Sequence, residues 1–380
     1  MQVEKLSNTI DAKKYLRELG VDGGGVEILA SKIKHHIISI KDLHVGAANI
    51  LKQDALSIGA DLAVPRGTVI AATQHVDCIL IATDKQLKTL SKKESVQPFG
   101  LKELAKKLQE FTTIRMPQHV EIMGIINANS DSFYSNSRFR DAEAIDAILK
   151  MIEEGADIID IGGVSSRPNA PKVTVEEELE RVKPILDVIA KERLYEKVKF
   201  SIDSYEPEVI SHALQSGFKI VNDITGLQND EVCRLCAAYG VTAVIMHMQG
   251  TPQTMQENPK YKNILSDVYT FLEERILKAE SFGVSDIIVD VGIGFGKSVE
   301  DNLKLIKHLE NFMTLGKPIL VGASRKSMID KISPSSVGER LGGTVALHLE
   351  AVNNGASIIR VHDVKEHLQA LKIKKAIDAI

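Results

Sequence analysis

Ile287-Ile288-Val289-Asp290-Val291-Gly292-Ile293-Gly294-Phe295-Gly296-Lys297 is the stretch on which the fold turns. Three apolar residues run into a carboxylate, and a glycine-rich turn with one aromatic and one lysine follows. The pattern predicts a buried strand that delivers an acid to a pocket, beside a backbone bare enough for a flat ligand to approach. The same plan recurs along the chain: short apolar runs end in a single Asn, Asp, His, Lys or Arg, and amphipathic helical stretches separate them.

Eight such runs follow residue 112: Val120–Ile126, Asp157–Ile161, Val198–Ile202, Lys219–Val221, Val241–Met246, Ile287–Val289, Pro318–Val321 and Ile358–Val361. Most are continuously apolar, as parallel strands buried on both faces are. Helical patterns such as Glu176–Ile189 and Ile264–Ala279 lie between them. Eight βα units in about 265 residues match a (β/α)8 TIM barrel, which typically takes about 250. A doubly wound open sheet is the alternative, but no GxGxxG follows the first strand. The expected class is thus α/β, with the barrel over residues 113–380.

Residues 1–112 read as a small α/β N-terminal domain. Asp11–Leu19 and Ala47–Ile58 are expected helices closed by Gly20 and Gly59, His36–Ile40 and Val76–Ile81 are expected strands, and Asp84 is expected to cap the next helix. Leu101, Leu104, Ala105, Leu108 and Phe111 mark an amphipathic helix, and Thr112–Gln118, with Pro117, the link.

With 44% hydrophobic and 26% charged residues, the composition is that of an ordinary globular protein. Residues 1–115 carry 17 Lys and Arg against 13 Asp and Glu, and the rest 30 against 38, so neither part has a nucleic-acid footprint. No apolar run approaches the roughly 18 residues of a membrane span. Met1 to Lys5 has no signal-peptide-like apolar core. Three cysteines make no disulfide framework, which points to a cytoplasmic protein. Cys233 and Cys236 have CxxC spacing without a second pair and sit in a helical pattern, so they read as structural.

Barrel chemistry collects at the C-terminal ends of the strands. There the chain places Asn127, Asp203, Asn222 with Asp223, Met246 with His247, Asp290, Gly322-Ala323-Ser324-Arg325-Lys326-Ser327, and Arg360-Val361-His362-Asp363. A lone strand-end Asp commonly caps a helix or forms a turn, and a lone His is commonly a core residue. Five or more on one rim exceed what capping accounts for. Gly296-Lys297-Ser298 has the end of a phosphate-binding P-loop, but position 291 is Val where the first glycine belongs.

From Val120 onward the chain resembles the dihydropteroate synthases, in bacterial form with an N-terminal extension. The matching segments are Met123-Gly124-Ile125-Ile126-Asn127 with Asp131-Ser132-Phe133; Ala156 through Gly163 with Arg167-Pro168; Ile202-Asp203; Val221 through Ile224; Met246-His247; Asp290 through Lys297; Ser324 through Ser327; and Arg360 through Asp363. They fall in family order over about two-thirds of the chain. Segments similar to Ala48 through Gln53 are fused to some synthases, and no chemistry is assigned to them here.

The resemblance implies condensation of 6-hydroxymethyl-7,8-dihydropterin pyrophosphate with p-aminobenzoate, releasing pyrophosphate. It implies pterin contacts from Asp203, Asn222, Met246, Asp290, Phe295, Gly322 and Lys326. The pyrophosphate falls to Asn127, Arg360 and His362, with Mg2+ beside Asn127. The p-aminobenzoate falls to Ser166, Arg167, Pro168 and Ser327. Asp203, Asn222, Lys326, Arg360 and His362 are implied as catalytic. The implied route is dissociative: the C–O bond breaks first and the arylamine attacks a pterin-methyl cation. A carboxylate facing pterin N–H donors is expected to stay ionised. The resemblance further implies a homodimer, small-molecule partners with no nucleic acid or membrane, and competition by sulfonamides.

Two loops depart from the family pattern. Ser135 stands where the first loop usually carries a second aspartate, and Val164-Ser165-Ser166-Arg167-Pro168-Asn169 replaces the usual Glu-Ser-Thr-Arg-Pro-Gly. These loops cover the amine. Competing readings are a folate-dependent methyltransferase barrel, which needs no pyrophosphate clamp, and a non-catalytic pterin-binding paralogue.

Overall fold

The structure, a computed structural model, describes residues 1, 3, 4, 6, 11–128, 137–165, 172–255 and 257–379, with 137–142 as backbone only. It divides into two compact units, residues 1–115 and 116–380.

The N-terminal unit runs α1 (Ala12–Glu18), α2 (Gly23–Ile33), β1 (His35–His44), α3 (Val45–Ser57), β2 (Asp61–Ala63), β3 (His75–Thr83), α4 (Asp84–Glu94) and α5 (Leu101–Phe111). Its antiparallel sheet has the order β1-β3-β2. Val76, Cys78, Leu80 and Ala82 alternate on the buried face of β3 and pack with Leu51, Leu62, Leu87, Leu101 and Leu108. One reading is corrected. The α4 cap is Thr83, in a reciprocal box with Gln86, and Asp84 instead binds His36 at 2.5 Å. Gly23-Gly24-Gly25, a sequence that disfavours helix, opens α2 because Asp22 caps it at Gly24.

The second unit is a closed barrel of eight parallel strands: β4 (Glu121–Asn127), β5 (Ile158–Gly162), β6 (Lys199–Asp203), β7 (Ile220–Asp223), β8 (Thr242–Met246), β9 (Ile287–Asp290), β10 (Ile319–Val321) and β11 (Ile358–Val361), with β11 pairing back onto β4. The strands lie within a residue or two of the apolar runs. Helices α6 (Ser137–Glu153), α7 (Val175–Lys191), α8 (Pro207–Gln215), α9 (Asp230–Tyr239), α10 (Ile264–Ser281), α11 (Val299–Lys307), α12 (Ser327–Ile332), α13 (Leu341–Asn353) and α14 (Val364–Asp378) follow the strands.

Outward strand residues such as Ile159, Ile161, Phe200 and Ile202 join the main core with the helices. Met123, Ile158, Ile220, Val244, Ile288, Leu320 and Ile358 form a separate buried cluster, the apolar plug inside the barrel. On β6 both neighbours of Ser201 face the helices, so Ser201 takes the inward place. Cys233 and Cys236 are buried on α9.

Candidate active site

Strand periodicity of two builds the site directly above the plug. Two residues beyond the inward positions of β5 to β11 come Asp160, Asp203, Asn222, Met246, Asp290, Gly322 just past the end of β10, and Arg360, while the same step from Met123 on β4 gives the apolar Ile125. One step further come Asn127 on β4, and Ser324 and His362 past the ends of β10 and β11. One alternation therefore separates plug from chemistry.

Arg360 organises the acidic side. Its Nε donates to Asp160 Oδ2 at 2.6 Å and its Nη2 to Asp203 Oδ2 at 2.7 Å. Asn222 Nδ2 donates to the same Asp160 oxygen at 3.0 Å. Asp160 is fully buried, and its Oδ1 has no hydrogen-bond partner among the described residues. Burial holds Asp203 above the ordinary carboxylate range, opposed by the Arg360 charge and reinforced by Asp160. The expected ionised Asp203 is thus not what the protein alone favours. Arg360 only partly offsets burial, and ligand donors facing the carboxylate would favour the ionised form further.

Behind this group Glu178 on α7 is pushed up to about 7 by burial, with Ser204 opposing.

On the other side Asp290 is also raised by burial, while a 2.7 Å bond from the Gly292 N–H and the Lys326 charge oppose it. Gly292 has φ +69°, and a Cβ there would lie 1.9 Å from the His247 carbonyl oxygen. The bare backbone therefore approaches the end of β8 and not only a ligand. Lys297 closes this turn. Its Nζ donates to the carbonyls of His247 (3.1 Å), Gly292 (2.9 Å) and Phe295 (2.9 Å) and lies 2.9 Å from His247 Nδ1. Burial lowers Lys297 to about 7, yet three carbonyl acceptors call for the three N–H bonds of the ammonium form. His247, lowered to about 3 by burial and then by Lys297, is neutral. Lys326 Nζ stands 4.2 Å from the Phe295 ring centroid. Phe295, Met246, Ile224 and Met255 form one small apolar cluster.

The β10 and β11 loops are joined. Ser324 Oγ lies 2.8 Å from His362 Nδ1 and accepts from the His362 backbone N–H at 3.2 Å. Arg325 binds Asp363 with Nε at 3.0 Å and Nη2 at 2.6 Å. Burial, with Arg360 next, lowers His362 to about 4, so it is neutral near pH 7. Ser327 begins α12, with Lys326 in the N-cap position but no side-chain bond capping the helix. Ser166, Arg167, Pro168 and the departing Ser135 lie outside the described residues.

Residues 123–362 match the family of pterin binding enzymes. The chain is 40% identical to the bifunctional dihydropteroate synthase/dihydropteroate reductase of Helicobacter pylori, over 99% of both chains. The chain belongs to the dihydropteroate synthase family. Solved dihydropteroate synthases share the barrel. That of Yersinia pestis, in a sulfonamide drug complex, has a TM-score of 0.65 and 35% identity over 69% of this chain and 95% of its own. That of Xanthomonas albilineans with 4-aminobenzoic acid has 0.64 and 37%, over 69% and 94%. As a dihydropteroate synthase the chain is a transferase, and its N-terminal unit precedes the matched domain. No helix among the described residues is long and apolar enough to cross a membrane.

Asp160 and Lys297 were not singled out for the site from sequence. Asp160 sits mid-strand in an apolar run, where only its in-out phase marks it: it lies two residues past Ile158, as Asp290 lies two past Ile288. The Lys297 ammonium anchors the site from within.

Proposed function

We propose that this barrel condenses 6-hydroxymethyl-7,8-dihydropterin pyrophosphate with p-aminobenzoate to give 7,8-dihydropteroate and pyrophosphate. The observation that carries the reading is the set of inward positions above the plug, where three polar acceptors and two cations adjoin an apolar cluster. Asp203, Asn222 and Asp290 take the donor-rich pterin edge, Lys326 its carbonyl, and Met246 and Phe295 its face. Gly322 adds no side chain opposite Arg360, where a Cβ would stand 3.7 Å from the Arg360 Cβ.

Arg360, His362 and Asn127 take the diphosphate. Arg360 already binds Asp203 through Nη2. Pterin donors that occupy Asp203 would release that N–H toward the leaving group, so the two halves of one substrate are coupled. The C–O bond breaks with its electron pair leaving on the diphosphate, and the amine nitrogen attacks the resulting methylene cation and loses a proton. Electrostatic stabilisation and positioning supply the catalysis. Ser327, with Ser166, Arg167 and Pro168, receives p-aminobenzoate.

Among the described residues no group of three or more His, Cys, Asp or Glu side chains could hold a metal. Asn127, half-buried at the rim, fits Mg2+ held mainly by substrate oxygens, because that ion needs few protein ligands. Mg2+ so bound would neutralise charge on the leaving diphosphate.

The test is pyrophosphate release with both substrates, with Mg2+ added and withheld. Pterin binding without release would leave a non-catalytic pterin protein. A second reading, dihydropteroate reduction, has support from the full-length similarity to the Helicobacter pylori protein, which runs through the N-terminal unit. Loss of 7,8-dihydropteroate with a reduced nicotinamide or flavin donor tests it.

A further inference from the structure

Two histidines on the outer helices join the loops that carry the anion-binding side chains. His348 on α13 and His367 on α14 are each 1% exposed. The Ala323 backbone N–H donates to His348 Nε2 at 3.0 Å. His348 Nδ1 lies 2.9 Å from His367 Nε2, and His367 Nδ1 lies 2.6 Å from the Asp363 carbonyl oxygen.

The ends of this chain fix its direction. A backbone N–H only donates, so His348 Nε2 carries a lone pair and its proton sits on Nδ1. That proton points at His367 Nε2, which must accept. The His367 proton then also sits on Nδ1 and meets a carbonyl, which only accepts. Both rings are therefore neutral Nδ1–H tautomers. Burial lowers both imidazoles, and His367 lowers His348 further, while the Asp363 carbonyl and carboxylate oppose the fall at His367 without cancelling it.

Ala323 immediately precedes Ser324, and Asp363 immediately follows His362. The relay is thus a third tie between the two loops, beneath Ser324–His362 and Arg325–Asp363. Arg325 sits at φ +54°, a strained backbone for a non-glycine residue, which must be held from outside. Thr344 and Arg340, at the start of α13 and just before it, bind its N–H and carbonyl at 2.9 and 3.2 Å.

We propose that His348 and His367 are positioning residues that hold the loops after β10 and β11 in register and so shape the diphosphate subsite. This rests on the reading of Arg360 and His362 as diphosphate ligands. Loss of either ring leaves the Ala323 N–H or the His367 side of the Asp363 carbonyl without its buried partner, and lets Ser324 and His362 drift apart.

The test uses the full chain. In a long-range proton–nitrogen spectrum of histidine-labelled protein at pH 7.5, both side chains show the Nδ1–H pattern, the minor form of free imidazole. An Nε2–H or doubly protonated ring at either position overturns the relay. His367→Leu is expected to weaken inorganic pyrophosphate binding, and to raise KM for the pterin diphosphate, by about tenfold, the worth of roughly one buried hydrogen bond. Free hydroxymethylpterin affinity stays unchanged. His367→Gln, whose amide can accept from His348 and donate to Asp363, is expected to restore most of the diphosphate affinity.

A folded His367→Leu with unaltered pyrophosphate affinity, or with equal loss of free pterin, overturns the proposal. If His367→Leu does not fold, His348 in His367→Gln must keep its Nδ1–H signature, and its loss counts against the relay. His362→Ala is the control. Loss there but not in His367→Leu refutes the relay alone, and loss in neither refutes the diphosphate assignment and the relay with it.

Discussion

Arg360 and Asp160 meet inside the barrel at 2.6 Å, although 200 residues separate them along the chain. The Asp160 oxygen that receives Arg360 also receives Asn222. One buried carboxylate therefore orients a cation assigned to the leaving group and an amide assigned to the pterin.

Asp160→Asn keeps an acceptor but removes the charge. The kcat/KM for the pterin diphosphate is expected to fall about 10- to 100-fold, from hydrogen bonds to a charged group worth roughly 1.5–3 kcal/mol. Steady-state kinetics with both substrates, beside a circular dichroism check of folding, decide it. An unchanged kcat/KM would show that Arg360 is oriented without Asp160.

Free-pterin affinity should depend on pH through Asp203. Burial holds this group above the ordinary carboxylate range and Arg360 opposes that rise. The acceptor form appears as pH climbs through the folded-state pKa, so affinity rises with pH. Arg360→Ala removes the opposing charge, pushes the pKa higher and moves the rise to higher pH. Calorimetric titrations from pH 5 to 9 read the shift. A shift to lower pH, or a rise that survives in Asp203→Asn, would contradict the assignment.

Gly292→Ala should break the turn after β9. Its φ of +69° disfavours any side chain, and the new Cβ would strike the His247 carbonyl oxygen 1.9 Å away. A loss of more than about 2 kcal/mol is expected in denaturant unfolding, with loss of pterin binding. Gly338→Ala, where a Cβ meets open space, is the comparison, expected within about 0.5 kcal/mol of the parent. Equal stability of the two variants would refute the steric argument.

Glu94 in the N-terminal unit is buried, and neither carboxyl oxygen has a hydrogen-bond partner among the described residues. Burial, with Asp54 nearby, pushes it up to about 7. Between its unfolded value of about 4.3 and about 7, the folded protein keeps a proton that the unfolded chain releases, so stability falls as pH rises through that window. Glu94→Gln should unfold at a higher temperature than the parent at pH 8, with the gap closing toward pH 4. A gap of the same size at both values would mean that ionisation plays no part.

The rim was legible because strand ends announce themselves. Asp203, Asn222 and Asp290 each terminate an apolar run, Arg360 was found through the motif it shares with His362 and Asp363, and the barrel sets these residues on one mouth. Asp160 was not legible as a site residue, since an acid inside Ile158-Ile159-Asp160-Ile161 shows its direction only once the plug is known. At Thr83 and Asp84 two capping residues stand side by side, and the pairing of Asp84 with His36 from another element decided which one caps.

The amino-acid order alone determined the alternation of strands and helices, the (β/α)8 class and the family, because these depend on local periodicity and ordered motifs. Only the tertiary structure decided who binds whom: Arg360 to Asp160, Lys297 to the His247 loop, His348 to His367. Those bonds join residues 19 to 200 positions apart. Their energies depend on burial and on the direction each group faces, which closure of the barrel fixes and local sequence does not encode.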